Sequence, residues 1–204
     1  SPLVSSASSQ NVSSITQTMD TTTTNALFVL DRNLKQVGRI INLAPGERVY
    51  SVRFMGDYGY FVTFRNVDPL FAVDLTNPEK PKVLSALKIP GFSNYLHPYG
   101  EDLLLGIGKN ADEITGRTDT VKLSMFDIND PTNVTERDKT SLDCTYTQVD
   151  STHKAALIDE KHNLIAFMGS DSYYVYGYTK EKGFVQKAKL QVNWLAEYDV
   201  RGLY

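Results

Sequence analysis

A strand-and-turn unit that returns along the chain limits the fold more than any other feature. Leu70-Phe71-Ala72-Val73-Asp74-Leu75-Thr76-Asn77-Pro78 and Leu123-Ser124-Met125-Phe126-Asp127-Ile128-Asn129-Asp130-Pro131 both run from an apolar strand through an aspartate to a polar residue before proline. Asp74 and Asp127 stand 53 residues apart, and Asp31, closing Leu27-Phe28-Val29-Leu30-Asp31, precedes Asp74 by 43. The aspartate and asparagine side chains suit turns, where they bind backbone N–H groups while proline sets the next φ.

Between these marks the chain is written in short runs of Val, Ile, Leu, Phe and Tyr, broken by turn residues every ~8 to 12 positions, the grammar of an all-β protein. No helix is expected. The clearest hairpin covers 50–64: Tyr50-Ser51-Val52-Arg53-Phe54-Met55 alternates, Gly56-Asp57-Tyr58-Gly59 turns, and Tyr60-Phe61-Val62-Thr63-Phe64 returns. Leu103-Leu104-Leu105-Gly106-Ile107-Gly108 and Leu164-Ile165-Ala166-Phe167-Met168-Gly169 are near-continuous apolar runs ending at glycine, as strands buried on both faces do. The longer of the two repeat intervals is accounted for by 109–120, a polar stretch read as a loop inserted between two strands. Tyr173 to Tyr178, followed by Gly183-Phe184-Val185, continues the series with a degenerate turn.

Periods of ~40 to 50 residues belong to propeller blades. The expected fold is therefore an all-β β-propeller of about four blades, each a four-stranded antiparallel sheet, as a partial propeller or a fragment of a larger one. Residues 1–24 read as a Ser/Thr-rich flexible segment with room for a polar edge strand at 15–24. Blades then fall at 25–48 (partial), 49–92, 93–148 and 149–192, and 193–204 starts the next. Tyr198-Asp199-Val200-Arg201-Gly202-Leu203-Tyr204 resembles the first strand at 50–55, while the N-terminal segment looks like the later strands of a blade without its first. Closure of these ends into a ring and an open fragment both satisfy the pattern. Open blade edges would favour self-association.

Charge and composition narrow the partners. Of 204 residues, 21 are Lys or Arg and 24 are Asp or Glu, for a formal charge of -3. That removes the basic field on which nucleic-acid binding usually depends. No apolar run approaches the ~18 residues of a membrane-spanning helix, and with neither a basic n-region nor an apolar h-region at its start the sequence is read as one without a signal peptide of its own. One cysteine, Cys144, excludes an intrachain disulfide framework and a zinc cluster.

Local motifs name no catalytic, cofactor-binding or metal-ligating residue. His97, before Pro98, reads as a turn imidazole bonded to backbone, and His153 and His162 as solvated turn residues. Gly91-Phe92-Ser93-Asn94-Tyr95 approaches a nucleophile elbow, but Tyr95 stands where the motif needs glycine, so a linker between blades is the better reading. Cys144 has no adjacent base to activate it. Asn110-Ala111-Asp112-Glu113 and Asp127-Ile128-Asn129-Asp130 miss the EF-hand template, and Gly106-Ile107-Gly108 lacks the third glycine of a dinucleotide loop. Arg53 and Arg201 occupy equivalent positions of two first strands. Each either enters a central channel, where an arginine pair grips a carboxylate, or packs outward on tyrosines. The twelve tyrosines suit half-buried strand packing or a sugar-stacking surface. Asn11 and Asn133 stand in Asn-X-Ser/Thr sequons.

Phe54-Met55-Gly56-Asp57, the run Val62-Thr63-Phe64-Arg65-Asn66-Val67-Asp68-Pro69-Leu70-Phe71 and Lys88-Ile89-Pro90-Gly91-Phe92-Ser93 resemble the bacterial and archaeal secreted β-propeller domain family, distantly related to WD40 repeats. Leu43-Ala44-Pro45-Gly46-Glu47-Arg48, Tyr95-Leu96-His97-Pro98 and Leu123-Ser124-Met125-Phe126-Asp127 extend the likeness from about Asn25 to the end. The resemblance implies an internal piece of a secreted or cell-envelope protein, and it carries no site residue or cofactor across. The expected function is a non-catalytic module that binds or scaffolds an unknown protein or glycan. The alternative is a hydrolase- or lyase-type enzyme whose residues converge in the central channel.

Overall fold

A computed structural model describes residues 23–64, 68–112 and 115–192. Expectations placed on 1–22 and 193–204, including Arg201 and the terminal strands, lie outside the described residues. Strands β1 (Asn25–Leu30) and β2 (Gln36–Leu43) form a two-stranded antiparallel sheet. The next sheet is β3 (Arg48–Met55), β4 (Tyr58–Phe64), β5 (Asp68–Asp74) and β6 (Lys82–Ile89). A third holds β7 (Phe92–Tyr99), β8 (Leu103–Ala111), β9 (Thr118–Asp127) and β10 (Thr135–Ser141). The last holds β11 (Ala156–Asp159), β12 (Leu164–Met168), β13 (Ser172–Thr179) and β14 (Gly183–Gln191). Each four-stranded sheet is an antiparallel meander in chain order. Two short 3-10 turns, Gln148–Asp150 and His153–Ala155, lead into the last sheet.

The period of two along each strand builds the stack. In β8, Leu104 joins Tyr60, Val62, Leu70, Leu96 and Phe126 in the core between the second and third sheets. Its neighbours Leu103, Leu105 and Ile107 point the other way, into a core with Ile165, Phe167, Tyr174 and Tyr178 of the fourth. A strand clamped between two sheets has no solvent face, hence its unbroken apolar sequence. Each such side chain adds ~1.5 to 3 kcal/mol on burial. By contrast β10 alternates exposed and half-buried residues, as an outer strand does.

The repeated turns work as their residue types require. Asp74 Oδ1 accepts from the Thr76 N–H at 2.9 Å and Asp130 Oδ1 from the Thr132 N–H at 2.9 Å, while Asn77 Oδ1 accepts from Glu79 at 3.0 Å. Asp127 and Asp31 do the same for Asn129 and Asn33. Hydrogen bonds to the threonines hold the Asp74 and Asp130 carboxyls below the usual aspartate range.

Three readings of the sequence need correction. The inserted loop expected at 109–120 is shorter than the sequence implied: 109–111 and 118–120 are strand, with Lys109 opposite Val121 and Ala111 opposite Thr118, and the loop between them is closed by Asp112, whose Oδ1 accepts from the Thr115 N–H at 2.7 Å. Charged and polar residues masked a long strand pair. Nor does β8 end at its glycines. A Cβ on Gly108 would lie 1.7 Å from the Phe92 carbonyl oxygen, so glycine here admits the neighbouring strand. Finally, 91–95 is not a linker: Pro90 and Gly91, the latter at φ +84°, make the connection from β6 and β7 starts at Phe92. The 50–64 hairpin stands, with a tighter turn in which Met55 pairs with Tyr58 around Gly56-Asp57.

At the first sheet, packing is incomplete among the described residues. Leu43, Phe61 and Val73 form a small core with Leu27 and Ile40. Phe28, Leu30 and Ile41 of that sheet and Val52 and Phe54 of β3 remain exposed, Phe54 at 56%.

Candidate functional site

β3 and β7, the first strands of consecutive sheets, run beside one another. Alternation turns Ser51 and Arg53 toward β7, where the Ser51 hydroxyl donates to the Ser93 carbonyl at 2.6 Å. Two residues further along β3 and four along β7, Arg53 Nη2 lies 3.5 Å from His97 Nδ1, and the Tyr95 hydroxyl lies 2.7 Å from the same nitrogen. Tyr95 and His97 share a strand face at i and i+2, with ring centroids 5.8 Å apart.

A guanidinium has only donors, so an imidazole nitrogen facing it must present its lone pair. His97 is thereby assigned the neutral form with the proton on Nε2, and Tyr95 donates to Nδ1. At 3.5 Å the arginine acts more through its charge than as a strong hydrogen bond. Burial, then the Arg53 charge, pushes the His97 pKa down against the opposing pull of Glu160. Burial raises the Tyr95 phenol. At neutral pH the cluster is one cation beside two neutral hydrogen-bonding rings.

Arg53 is otherwise underused. Its Nε is buried without a hydrogen-bond partner, and no carboxylate among the described residues forms an ion pair with it. With Ser51, Asn94, Tyr95 and His153 it lines a cavity of about 400 Å³. Behind that wall, Asp150 accepts from Asn94 Nδ2 at 2.7 Å and pairs with Lys109 at 3.3 Å. Asp150 sits in the first 3-10 turn, whose leading residue Thr147 bonds Met168 O at 2.7 Å. The nearby negative charge is therefore already matched.

The other singled-out residues scatter. His97 is a strand residue bonded to side chains, a correction to its reading as a turn imidazole, because Pro98 is tolerated inside β7. His153 is exposed in the second 3-10 turn, and His162 is exposed in the β11–β12 turn with Nδ1 at 2.7 Å from Asp159. Ser93 and Cys144 are buried, and burial raises the Cys144 thiol pKa. Asn133 lies in the turn before β10. Tyr60, Tyr174, Tyr176 and Tyr178 are core residues. A second cavity of about 360 Å³ touches Tyr99, Asp102, Glu160 and Lys180, but Glu160 is bound to the Gly100 N–H at 2.7 Å and Lys180 pairs with Asp102 at 3.7 Å. No group of three His, Cys, Asp or Glu among the described residues is placed to hold a metal, and none of the described helices is long and apolar enough to cross a membrane.

Sequence reasoning missed Lys122, which is fully buried in β9 with Nζ donating to Pro90 O at 2.8 Å and 3.7 Å from Glu136. Its flanks Val121 and Leu123 were the available signal: a lysine inside an apolar strand calls for a partner.

Successive four-stranded antiparallel meanders packed face to face, with the first strands β3 and β7 side by side, define an all-β protein of the β-propeller class, here a partial one. The family model for the beta propeller domain matches residues 9–201, and the chain belongs to that family. It is 43% identical over 154 residues to an uncharacterized protein of Archaeoglobus fulgidus and 44% identical over 153 residues to one of Methanocaldococcus jannaschii. These alignments cover 76% and 75% of this chain but 24% of each relative, so the chain spans about a quarter of the length of the curated relatives it matches.

Proposed function

We propose that this chain is part of a secreted or cell-envelope β-propeller, WD40-like in its blades, that binds a protein or glycan without transforming it. One observation carries the reading: Arg53, with no carboxylate partner among the described residues, lines a cavity between two first strands. Propeller channels gather side chains from several blades, so such a cluster suits recognition of a ligand. Saturable binding of the chain to immobilised envelope glycans or envelope proteins, lost in Arg53→Gln, is the expected result. Equal binding by that variant would remove the site from the proposal. Fractionation of the full-length protein's host, with the protein in the envelope or medium, tests the location.

A second reading has its own support. The Tyr95–His97 hydrogen bond beside a guanidinium is also a proton-handling arrangement, as a hydrolase- or lyase-type enzyme requires. Turnover of a bound glycan, abolished by Tyr95→Phe, would favour it over simple binding.

A further inference from the structure

We infer that the Arg53 cavity takes the carboxylate of an acidic sugar residue; this rests on the binding reading above and gives it a ligand class. The charge argument comes first. A half-buried guanidinium keeps part of its desolvation cost unless an anion meets it, and the protein's neighbouring carboxylates are engaged elsewhere: Asp150 with Lys109 and Asn94, Glu160 with the Gly100 N–H. An arginine fork binds a planar carboxylate through parallel N–H donors. His97 stays neutral beside it and does not compete as a second cation.

The remaining lining groups favour a sugar over a peptide. Ser51 Oγ has spent its proton on the Ser93 carbonyl and retains acceptor lone pairs, and Asn94 has spent one N–H on Asp150 and retains its carbonyl. These are acceptors for ligand hydroxyl protons. Tyr95 contributes an aromatic surface of the kind on which sugar rings stack. Concavity of about 400 Å³ suits a compact polyhydroxyl ring, whereas an extended peptide would be recognised by main-chain pairing along a sheet edge.

The test uses the 204-residue chain, titrated by NMR and calorimetry with a glucuronic acid oligosaccharide, its methyl ester, a neutral glucose oligosaccharide and a short aspartate-containing peptide. The acidic oligosaccharide is expected to bind about tenfold more tightly than its ester, as a charged hydrogen bond commands. Arg53→Gln should erase that preference and Arg53→Lys retain part of it, with unchanged far-ultraviolet spectra showing that both fold. Equal affinity for acid, ester and neutral sugar, or preference for the peptide, overturns the acidic-sugar assignment while leaving a binding module. Failure of all four probes overturns the assignment too, and the envelope binding assay then judges the broader reading separately.

Discussion

Arg53 Nη2 and His97 Nδ1 lie 3.5 Å apart across two sheets, although 44 residues separate them along the chain. The contact makes the imidazole's protonation state a property of how the sheets stack.

That coupling has a pH signature. The folded-state pKa of His97 is lowered from 6.5 by burial and by Arg53, so below 6.5 the unfolded chain binds the extra proton and stability falls. Thermal melts should show stability level above that value and declining as the pH drops through it. His97→Gln should flatten this part of the profile; an unchanged slope would show that another group is responsible.

A second acid-side loss is expected lower on the scale. Asp74, Asp130, Asp143 and Asp159 are held below 3.8 by hydrogen bonds from Thr76, Thr132, Lys189 and His162 respectively. Their contribution is complete above 3.8 and disappears as the pH falls through the depressed values. Replacing Asp130 with Asn should leave the turn formed and reduce only this acid dependence, measured as the difference between melts at neutral and acid pH.

Gly108→Ala should cost several kcal/mol, on the order of 3 or more, because the added carbon meets the Phe92 carbonyl and the Ser93 Cα, both backbone atoms that cannot rotate away. Gly100→Ala, with nothing within 4 Å but φ +68°, should lose only about 1 kcal/mol. Denaturant midpoints of the two variants test the contrast between crowding and backbone strain.

Removing the buried cation at Lys122 leaves the Glu136 carboxylate and the Pro90 carbonyl without it. Lys122→Met is expected to destabilise by ~3 to 5 kcal/mol, with part recovered when Glu136→Leu is added. A double-mutant cycle with no coupling between the two positions would refute the pair.

Phe28, Leu30 and Ile41 leave an exposed apolar face on the first sheet, and Val52 and Phe54 are exposed on β3; the described pairing of β1 is with β2 alone. The isolated 204-residue chain should self-associate through this face, giving concentration-dependent sedimentation. Phe28→Thr with Phe54→Thr should shift it toward monomer, and an unaltered association constant would place the contact elsewhere.

The sheets were legible in the sequence because their signals are local. Asp74 and Asp127 act within two residues of themselves, and the Leu103-Leu104-Leu105 run announces a strand packed on both faces wherever it lies. Errors arose where a glycine or a polar run answered to a distant neighbour. Gly108 makes room for Phe92 on another strand, and both polar ends of 109–120, at 109–111 and 118–120, are held by pairing that no local pattern reveals.

The sequence by itself determined the all-β class, the repeating unit and the turn chemistry, since period-two alternation and aspartate turns are short-range physics. Only the tertiary structure decided that Arg53 faces β7 rather than packing outward, that His97 leaves the backbone for Tyr95 and Arg53, and that Lys122 is buried. Alternation along one strand permits either face to turn inward. The choice is made by which neighbouring sheet buries the apolar side, and that requires residues tens of positions away to arrive first.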